Sequence, residues 1–229
     1  MNPVPRSLLP DSAEVVDGRL SIGGVDVLDL ADEYGTPLFV YDEEQLRSRC
    51  REAVAAFGDG VAYATKAFLT TAMARLAYEE GMHLDIATSG ELFVAINAGV
   101  PAERLVHHGN NKTVEELTMA LDAGIGRIVI DSFVEIDRIE ALVEAGATPP
   151  SVLVRINPGI DAHTHEYLRT GVPDSKFGFG LASGAAERAV ARTQASHGME
   201  LVGVHAHIGS QVFDVDSFRR AIEALAPVV

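Results

Sequence analysis

A lysine at the end of an apolar run is the first candidate for chemistry. Lys66 closes the run Val-Ala-Tyr-Ala-Thr-Lys. An amine at the end of a strand can form a Schiff base with a carbonyl cofactor once its pKa is low enough to supply neutral amine. A solvated lysine is also common at such a position, so this feature alone leaves both interpretations open.

Two histidines, His205 and His207, share one face of a predicted strand. Imidazoles at positions i and i+2 can bind a metal, as in a metal-dependent barrel hydrolase. They can also stack on a flat ring or pack as core histidines. The following residues, Gly209 and Ser210, offer backbone N–H groups and a hydroxyl that can bind phosphate, although Gly-Ser is common in any turn.

Two charged residues, Asp85 and Arg155, lie on strand faces that are predicted to turn inward. Arg155 can balance an anionic group, and Asp85 can orient Lys66 or a nearby water; alternatively they pair with each other or with nearby polar groups. Other polar residues belong to a turn after a strand or to a long loop, where they can equally be solvated. These are His107, His108, Asn110, Asn111, Lys112, His163 and His165.

The elements that must position these residues alternate along the chain after about residue 37. Apolar, β-rich runs predict strands at Leu38–Tyr41, Val61–Thr65, Met82–Ile86, Leu105–His107, Ile128–Ile130, Val152–Asn157 and Leu201–Ile208. Helical patterns lie at Glu43–Phe57, Leu69–Glu80, Gly90–Ala98, Val114–Ala123, Val134–Glu144, Gly184–Ser196 and Asp216–Leu225. This alternation predicts parallel βαβ units. From 158 to 182 there is no helical period, which predicts a long loop at the carboxyl end of a strand.

The direction of side chains along the strands favours a closed barrel over an open sheet. Each strand has one apolar face and one face that becomes polar towards its carboxyl end, as at 201–208 and 152–157. That pattern suits a (β/α)8 barrel, in which the upper lumen holds a site. An open sheet covered by helices is usually apolar on both faces. Six barrel strands are predicted from Val61 onward, so the sequence predicts an α/β, TIM-type barrel truncated after about six strands.

Composition excludes several classes of partner. The net charge of −15 argues against nucleic acid and anionic membranes, because both select a positive surface. Cys50 is the only cysteine, so no intrachain disulfide forms. No apolar run approaches a membrane span, and the Pro-rich start lacks the apolar core of a signal peptide, so a cytoplasmic location is expected.

Six stretches of the chain together resemble the fold-type III decarboxylases that use pyridoxal 5'-phosphate (PLP), and specifically their diaminopimelate branch. YATK and HIGS are shared broadly by that superfamily, whereas the block from NPG through HTHEY and TG to SKFG, with HIGSQ, is more specific to the branch. The stretches are PLFVYDEEQLR at 37–47, YATKAF at 63–68, LDIATSGEL at 84–92, HHGNNKT at 107–113, RINPGIDAHTHEYLRTGVPDSKFGFGL at 155–181 and GVHAHIGSQ at 203–211.

The resemblance implies a cofactor, a reaction and residue roles. Lys66 is then the Schiff-base lysine, His207 stacks on the pyridine ring, and Gly209 and Ser210 contact the cofactor phosphate. Asp85 and Arg155 are expected to line the cofactor pocket. The implied reaction is loss of CO2 from meso-2,6-diaminopimelate, an amino-acid substrate, to give L-lysine.

The resemblance also implies an organisation. Residues 1–36 would be an N-terminal segment that pairs with a C-terminal β-domain, and residues 37–229 an incomplete PLP-binding barrel. Members of the family are homodimers whose catalytic cysteine and substrate-binding residues come from parts not matched here, and Cys50 does not correspond to that cysteine. The 229-residue chain is therefore expected to be a fragment that is inactive alone.

Other interpretations remain open at this point. Within the superfamily, the substrate could be arginine, ornithine or carboxynorspermidine. Three other interpretations are a single-barrel PLP-binding protein of cofactor homeostasis, a non-catalytic regulatory relative, and the metal-dependent hydrolase built on His205 and His207.

Overall fold

The computed structural model describes residues 4–160, 177–210 and 212–228. It divides into two compact units. The first comprises Met1–Val61 with Leu76–Met82, and the second comprises Ala62–Arg75 with His83–Val229. His163 and His165 of the predicted long loop, and Gln211 of the HIGSQ motif, lie outside the described residues.

The first unit contains a small antiparallel sheet and two helices. The strands are β1 (Glu14–Val16), β2 (Arg19–Ile22) and β3 (Val25–Asp26), followed by helices α1 (Val27–Tyr34) and α2 (Glu43–Phe57). Helix α2 begins where the Asp42 carboxylate accepts a hydrogen bond from the Gln45 amide, and it ends at Gly58. The same Asp42 side chain accepts from the hydroxyl of Ser12.

The second unit is built from six parallel strands with helices between them. The strands are β4 (Ala62–Ala64), β5 (His83–Ile86), β6 (Leu105–His107), β7 (Arg127–Ile130), β8 (Ser151–Asn157) and β10 (Glu200–His205); the short β9 (Phe179–Gly180) pairs with β8. The helices are α3 (Thr71–Glu79, shared with the first unit), α4 (Ser89–Asn97), α5 (Val114–Ala123), α6 (Phe133–Glu144), α7 (Ala185–Ala195) and α8 (Val215–Leu225). Single 3-10 turns lie at Arg6–Leu8, Gly58–Gly60, Thr65–Ala67, Ala102–Arg104 and Ala226–Val228.

The order of the strands distinguishes a barrel from a doubly wound sheet. Each long strand pairs with the next one along the chain, from β4 through β5, β6, β7 and β8 to β10. A doubly wound sheet reverses this order at a switch point, whereas a βα barrel does not. The prediction of a parallel βα-barrel architecture with six strands from residue 61 onward is confirmed.

The core of the second unit lies between the strands and the helices that follow them. Leu84, Ile86, Ile128 and Val154 on the strands are fully buried. Helices α4, α5 and α6 contribute Leu92, Leu117, Ile136 and Ile139, each no more than 1% exposed. Burying one such side chain contributes about 1.5–3 kcal/mol relative to leaving it in water.

Two predicted strands differ from the structure. Residues 38–41 are exposed and form no strand, and among the described residues they join neither sheet, so their β-rich composition is not used in strand pairing. The strand predicted at 201–208 ends at His205, where its pairing with β8 ends at Arg155. His207 therefore lies just beyond the strand.

Among the described residues, no helix combines the length and the apolar character that crossing a membrane requires.

Candidate active site

A cavity of about 560 Å³ lies at the carboxyl ends of the strands in the second unit. This volume is in the range of small-molecule sites. Its position matches the side of a βα barrel where catalytic residues gather. The lining residues are Ala64, Lys66, Asp85, Ala87, His108, Gly109, Asn110, Arg155, Phe177, His205, His207 and Ser210.

Five of the six predicted site residues line this cavity: Lys66, Asp85, Arg155, His207 and Ser210. The sixth, Gly209, lines a smaller depression next to it, and His207 belongs to both. The structure thus brings together side chains that are up to 144 positions apart in the sequence, from Lys66 to Ser210. Their individual roles remain predictions.

Lys66 is held by the turn that follows β4. The preceding residue, Thr65, is buried, and its hydroxyl donates a hydrogen bond to the Asp85 carbonyl oxygen at 2.9 Å. The Tyr63 hydroxyl donates to the Phe68 carbonyl oxygen at 2.7 Å, which closes the turn from the other side. Lys66 itself is exposed, so its amine reaches both the cavity and solvent. The end of β4 is fixed while the lysine side chain stays available for a ligand.

Asp85 and Arg155 do not pair with each other, as one interpretation of the sequence allowed. The Asp85 carboxylate lies against Nδ1 of His108. The Arg155 guanidinium donates to Asp131 at 3.2 Å and lies over the Phe177 ring, 4.6 Å from its centroid. Asp85 and Arg155 are therefore held by separate partners.

His205 and His207 also have different surroundings. The Nε2 atom of His205 lies 3.1 Å from Nε2 of His108, and burial lowers the pKa of His205 to about 3. The pKa of His207 is also lowered, first by burial and then by the positive charges of Arg155 and Lys66. Both rings are therefore neutral near pH 7. Among the described residues, no cluster of three or more histidine, cysteine or carboxylate side chains is arranged to hold a metal ion.

The cavity wall after β6 requires a glycine. Gly109 has φ = +108°, and a Cβ built on it would lie 3.0 Å from the Ala87 carbonyl oxygen. A larger residue would be strained and would press against the neighbouring strand end. The HHGNNKT stretch, which predicts a turn, thus brings His108 and Asn110 to the cavity.

Sequence reasoning missed two residues that support the site. The Asp131 carboxylate accepts a hydrogen bond from Arg155, and the Glu135 carboxylate accepts one from the Asp131 backbone amide. A usable signal was present, because Asp131 directly follows a buried strand and Ser132 with Glu135 three positions later has the spacing of a helix start. His108 was assigned only to a polar turn, whereas in the structure it joins Asp85 to His205.

The chain matches known proteins along most of its length. Residues 43–229 match the family model described as pyridoxal-dependent decarboxylase, pyridoxal binding domain. This chain is 52% identical over 219 residues to diaminopimelate decarboxylase of Mycobacterium bovis, and the match covers 95% of this chain and 48% of that protein. It is 51% identical over 213 residues to diaminopimelate decarboxylase of Bacillus subtilis, covering 91% of this chain and 48% of that protein.

Solved structures give the same result. The structure of diaminopimelate decarboxylase from M. jannaschii in complex with L-lysine superimposes with a TM-score of 0.85 at 34% identity, covering 95% of this chain and 53% of that one. The Helicobacter pylori enzyme, also complexed with L-lysine, gives a TM-score of 0.81 at 30% identity, covering 88% of this chain and 52% of that one. This chain spans about half the length of these relatives. By its sequence and its fold, the chain belongs to the pyridoxal-dependent decarboxylase family and contains that family's pyridoxal-binding domain.

Proposed function

We propose that this chain is the PLP-binding part of a diaminopimelate decarboxylase, in which Lys66 holds the cofactor. The observation that carries the proposal is that Lys66 and His207 line one cavity together with Asp85, Arg155 and Ser210. The curated relatives at about 50% identity are named for this activity. The structures named lysine/ornithine decarboxylase match at only 22% identity, which bears on the fold alone.

The donor set around the cavity fits PLP. The cofactor presents an aldehyde, a flat ring and a phosphate, which require an amine, an apolar or imidazole surface and hydrogen-bond donors. Lys66 supplies the amine, the neutral His207 imidazole supplies a flat surface, and Ser210 supplies a hydroxyl. Gly209 lies beside this cavity, where its backbone N–H is a further candidate donor to phosphate.

The residues of this chain bind and orient, while the cofactor carries the electronic chemistry. When bound, PLP withdraws electrons from the substrate bond that breaks at the α-carbon. Lys66 would hold the cofactor through its side-chain amine, which lines the cavity. Asp85, which is held by His108, places a carboxylate on the cavity lining, and Arg155, which is held by Asp131, places a guanidinium there. These fixed charges require no reorganisation during the reaction.

The substrate and assembly belong to the same proposal. We infer that the reaction releases CO2 from meso-2,6-diaminopimelate to give L-lysine, in a cytoplasmic homodimer whose complete (β/α)8 barrel includes residues 37–229. In this arrangement residues 1–36 pair with a β-domain. The names of the relatives support the reaction, and those compared above are about twice as long as this chain, which leaves room for the rest of the barrel and a further domain. The 229-residue polypeptide alone is expected to bind PLP without measurable turnover.

The decisive experiment locates the cofactor on the chain. The sequence has three lysines, Lys66, Lys112 and Lys176. PLP is added to the purified protein, the visible absorbance of the lysine-bound form is recorded, and the bond is fixed with borohydride before peptide mapping. The label is expected on Lys66. A label on Lys112 or Lys176, or no absorbance band, would overturn the proposal.

The substrate is tested separately by measuring CO2 release. Diaminopimelate, arginine and ornithine are offered in parallel to the PLP-loaded full-length decarboxylase of which this chain is proposed to be a part. Release from diaminopimelate alone supports the proposed activity, whereas a preference for arginine or ornithine replaces it with a different decarboxylase of the same family.

A further inference from the structure

A second lysine, Lys112, is buried next to the cavity without lining it. It follows β6 and is 1% exposed. Its ammonium donates to the carbonyl oxygens of Gly109 at 2.7 Å and Val129 at 2.6 Å, and to the Glu135 carboxylate at 3.0 Å. All three N–H donors of the ammonium are therefore used. Burial lowers the pKa of this amine, and the negative charge of Glu135 opposes that shift.

The partner of this lysine, Glu135, joins two strand ends. Glu135 lies in the first turn of α6 and is 1% exposed. Its carboxylate accepts hydrogen bonds from the backbone amides of Lys112 at 3.2 Å and Asp131 at 2.8 Å. One side chain thus fixes the segment after β6 to the residue that follows β7.

Asp131 carries the connection on to the cavity. Its two carboxylate oxygens accept from the Arg155 guanidinium at 3.2 Å and from the Gly178 amide at 3.1 Å. Arg155 and Gly109 both line the cavity, and the Gly109 carbonyl oxygen accepts a hydrogen bond from Lys112. A continuous set of hydrogen bonds therefore runs behind the cavity from Gly109 through Lys112, Glu135 and Asp131 to Arg155.

Stability alone is a weak reason for such an arrangement. Removing two charges from water is costly, and well-packed apolar residues of similar size often stabilise a protein as well as a buried ion pair does. A pair that is fully hydrogen-bonded does fix geometry, because each charged group tolerates few alternative positions. Lys112 contacts Gly109 on the cavity lining, and Glu135 contacts Asp131, which holds Arg155 on the same lining, so the geometry they fix is that of the cavity.

We propose that the buried Lys112–Glu135 pair is a positioning device that sets Arg155, through Asp131, and the Gly109 wall for ligand binding. Neither residue touches the ligand. The expected effect on PLP affinity rests on the proposed function. The positioning of Asp131 and Gly178 does not depend on that function.

The test replaces the pair by uncharged residues of similar length, in Lys112→Met/Glu135→Met. Two quantities are measured: the hydrogen exchange of the Gly178 amide without cofactor, and the affinity for PLP. The Gly178 amide donates a hydrogen bond to Asp131 and not to Lys112 or Glu135. Its exchange rate therefore reports whether the pair positions Asp131. We expect exchange to become about tenfold faster and PLP affinity to fall about tenfold, the effect of losing 1.4 kcal/mol, which is the scale of one charged hydrogen bond.

Controls separate positioning from general destabilisation. Leu117→Ala removes a fully buried side chain of α5 and destabilises the fold without touching these hydrogen bonds. Its Gly178 exchange below the unfolding transition and its PLP affinity should remain close to wild type. Should the double variant fail to fold, Glu135→Gln, which keeps the shape but not the charge, carries the same comparison.

The outcomes distinguish the two proposals. If the pair is replaced and both Gly178 exchange and PLP affinity stay at wild-type values, the positioning role is wrong. If Leu117→Ala changes both quantities equally, the effect is one of stability and the role is again wrong. If wild-type protein fails to bind PLP, the proposed function fails, while Gly178 exchange still decides the role of the pair.

Discussion

The Nε2 atoms of His108 and His205 lie 3.1 Å apart, with the two rings edge to face at an interplanar angle of 71°. The other ring nitrogen of His108 lies against the Asp85 carboxylate. A hydrogen bond between two nitrogens needs one donor and one acceptor, so only one of the two facing atoms can carry a proton. The location of the proton between these two atoms therefore sets the tautomer of His205.

His205 is expected to stay neutral throughout the physiological range. Burial, together with the smaller effects of the nearby His108, Arg155 and His207, lowers its pKa to about 3. Nitrogen NMR of the ring should show one protonated and one bare nitrogen from about pH 5 to about pH 8, where an ordinary histidine changes charge. His205→Gln assigns the signals. A titration midpoint near 6.5 would contradict the prediction.

A second histidine should make the stability of the fold depend on pH. His107 is fully buried at the end of β6, and burial lowers its pKa from 6.5 to about 4. Between these values the unfolded chain binds the proton and the folded chain does not, so the free energy of unfolding falls as the pH falls below about 6.5. Above that value the contribution is fully present.

The measurement compares wild type with His107→Asn by urea unfolding at about pH 7 and about pH 5. Wild type should lose about 2 kcal/mol more than the variant over this interval, because the variant has no imidazole to protonate. Other groups titrate equally in both proteins and cancel. Equal losses in the two proteins would show that His107 is protonated in the folded state.

The sequence predicts helices best where both ends carry a chemical signal. Helix α5 was predicted at its observed bounds, since Thr113 and Glu116 form a capping box at its start and Gly124 adopts the left-handed conformation at its end. The first three strands and α1 were missed. Their signals, Asp17-Gly18 and Gly23-Gly24 between short apolar runs, are those of tight hairpins, but the runs are too short to show alternation.

The candidate site was predictable only in part. Alternation along the strands placed Asp85, Arg155 and His205 on inward faces, and all three line the cavity. It could not show which residues pair, because pairing depends on distances between strand ends that no local pattern encodes. The prediction therefore left open a contact between Asp85 and Arg155, whereas His108 and Asp131 are the actual partners.

Replacing Lys66 should abolish covalent binding of PLP. Lys66→Ala removes the amine, and Lys66→Arg keeps a positive charge while its guanidinium stays protonated and cannot act as a nucleophile. Both variants should lack the visible absorbance band and the label fixed by borohydride, and Lys66→Arg should retain more non-covalent affinity than Lys66→Ala. Persistence of the label in either variant would place the anchor at another lysine.

A glycine between α5 and β7 should tolerate no side chain. A Cβ on Gly126 would lie 2.2 Å from the Glu103 carbonyl oxygen and 2.8 Å from the Glu103 carbonyl carbon, so backbone must move. The Gly126 amide also donates to the Ala102 carbonyl oxygen at 2.9 Å, which fixes its position. Gly126→Ala is expected to lower the free energy of unfolding by about 3 kcal/mol.

The matched control is Gly124→Ala, two residues earlier. Gly124 has φ = +72° but no atom within 4 Å of a Cβ, so alanine there meets only backbone strain, of about 1 kcal/mol. Urea unfolding of both variants should therefore show the larger loss at Gly126, although its φ lies outside the left-handed range. A larger loss at Gly124 would mean that the Glu103 backbone yields easily. In that case the close approach of Gly126 to Glu103 would not be what fixes the segment just before β6, the strand that leads to His108.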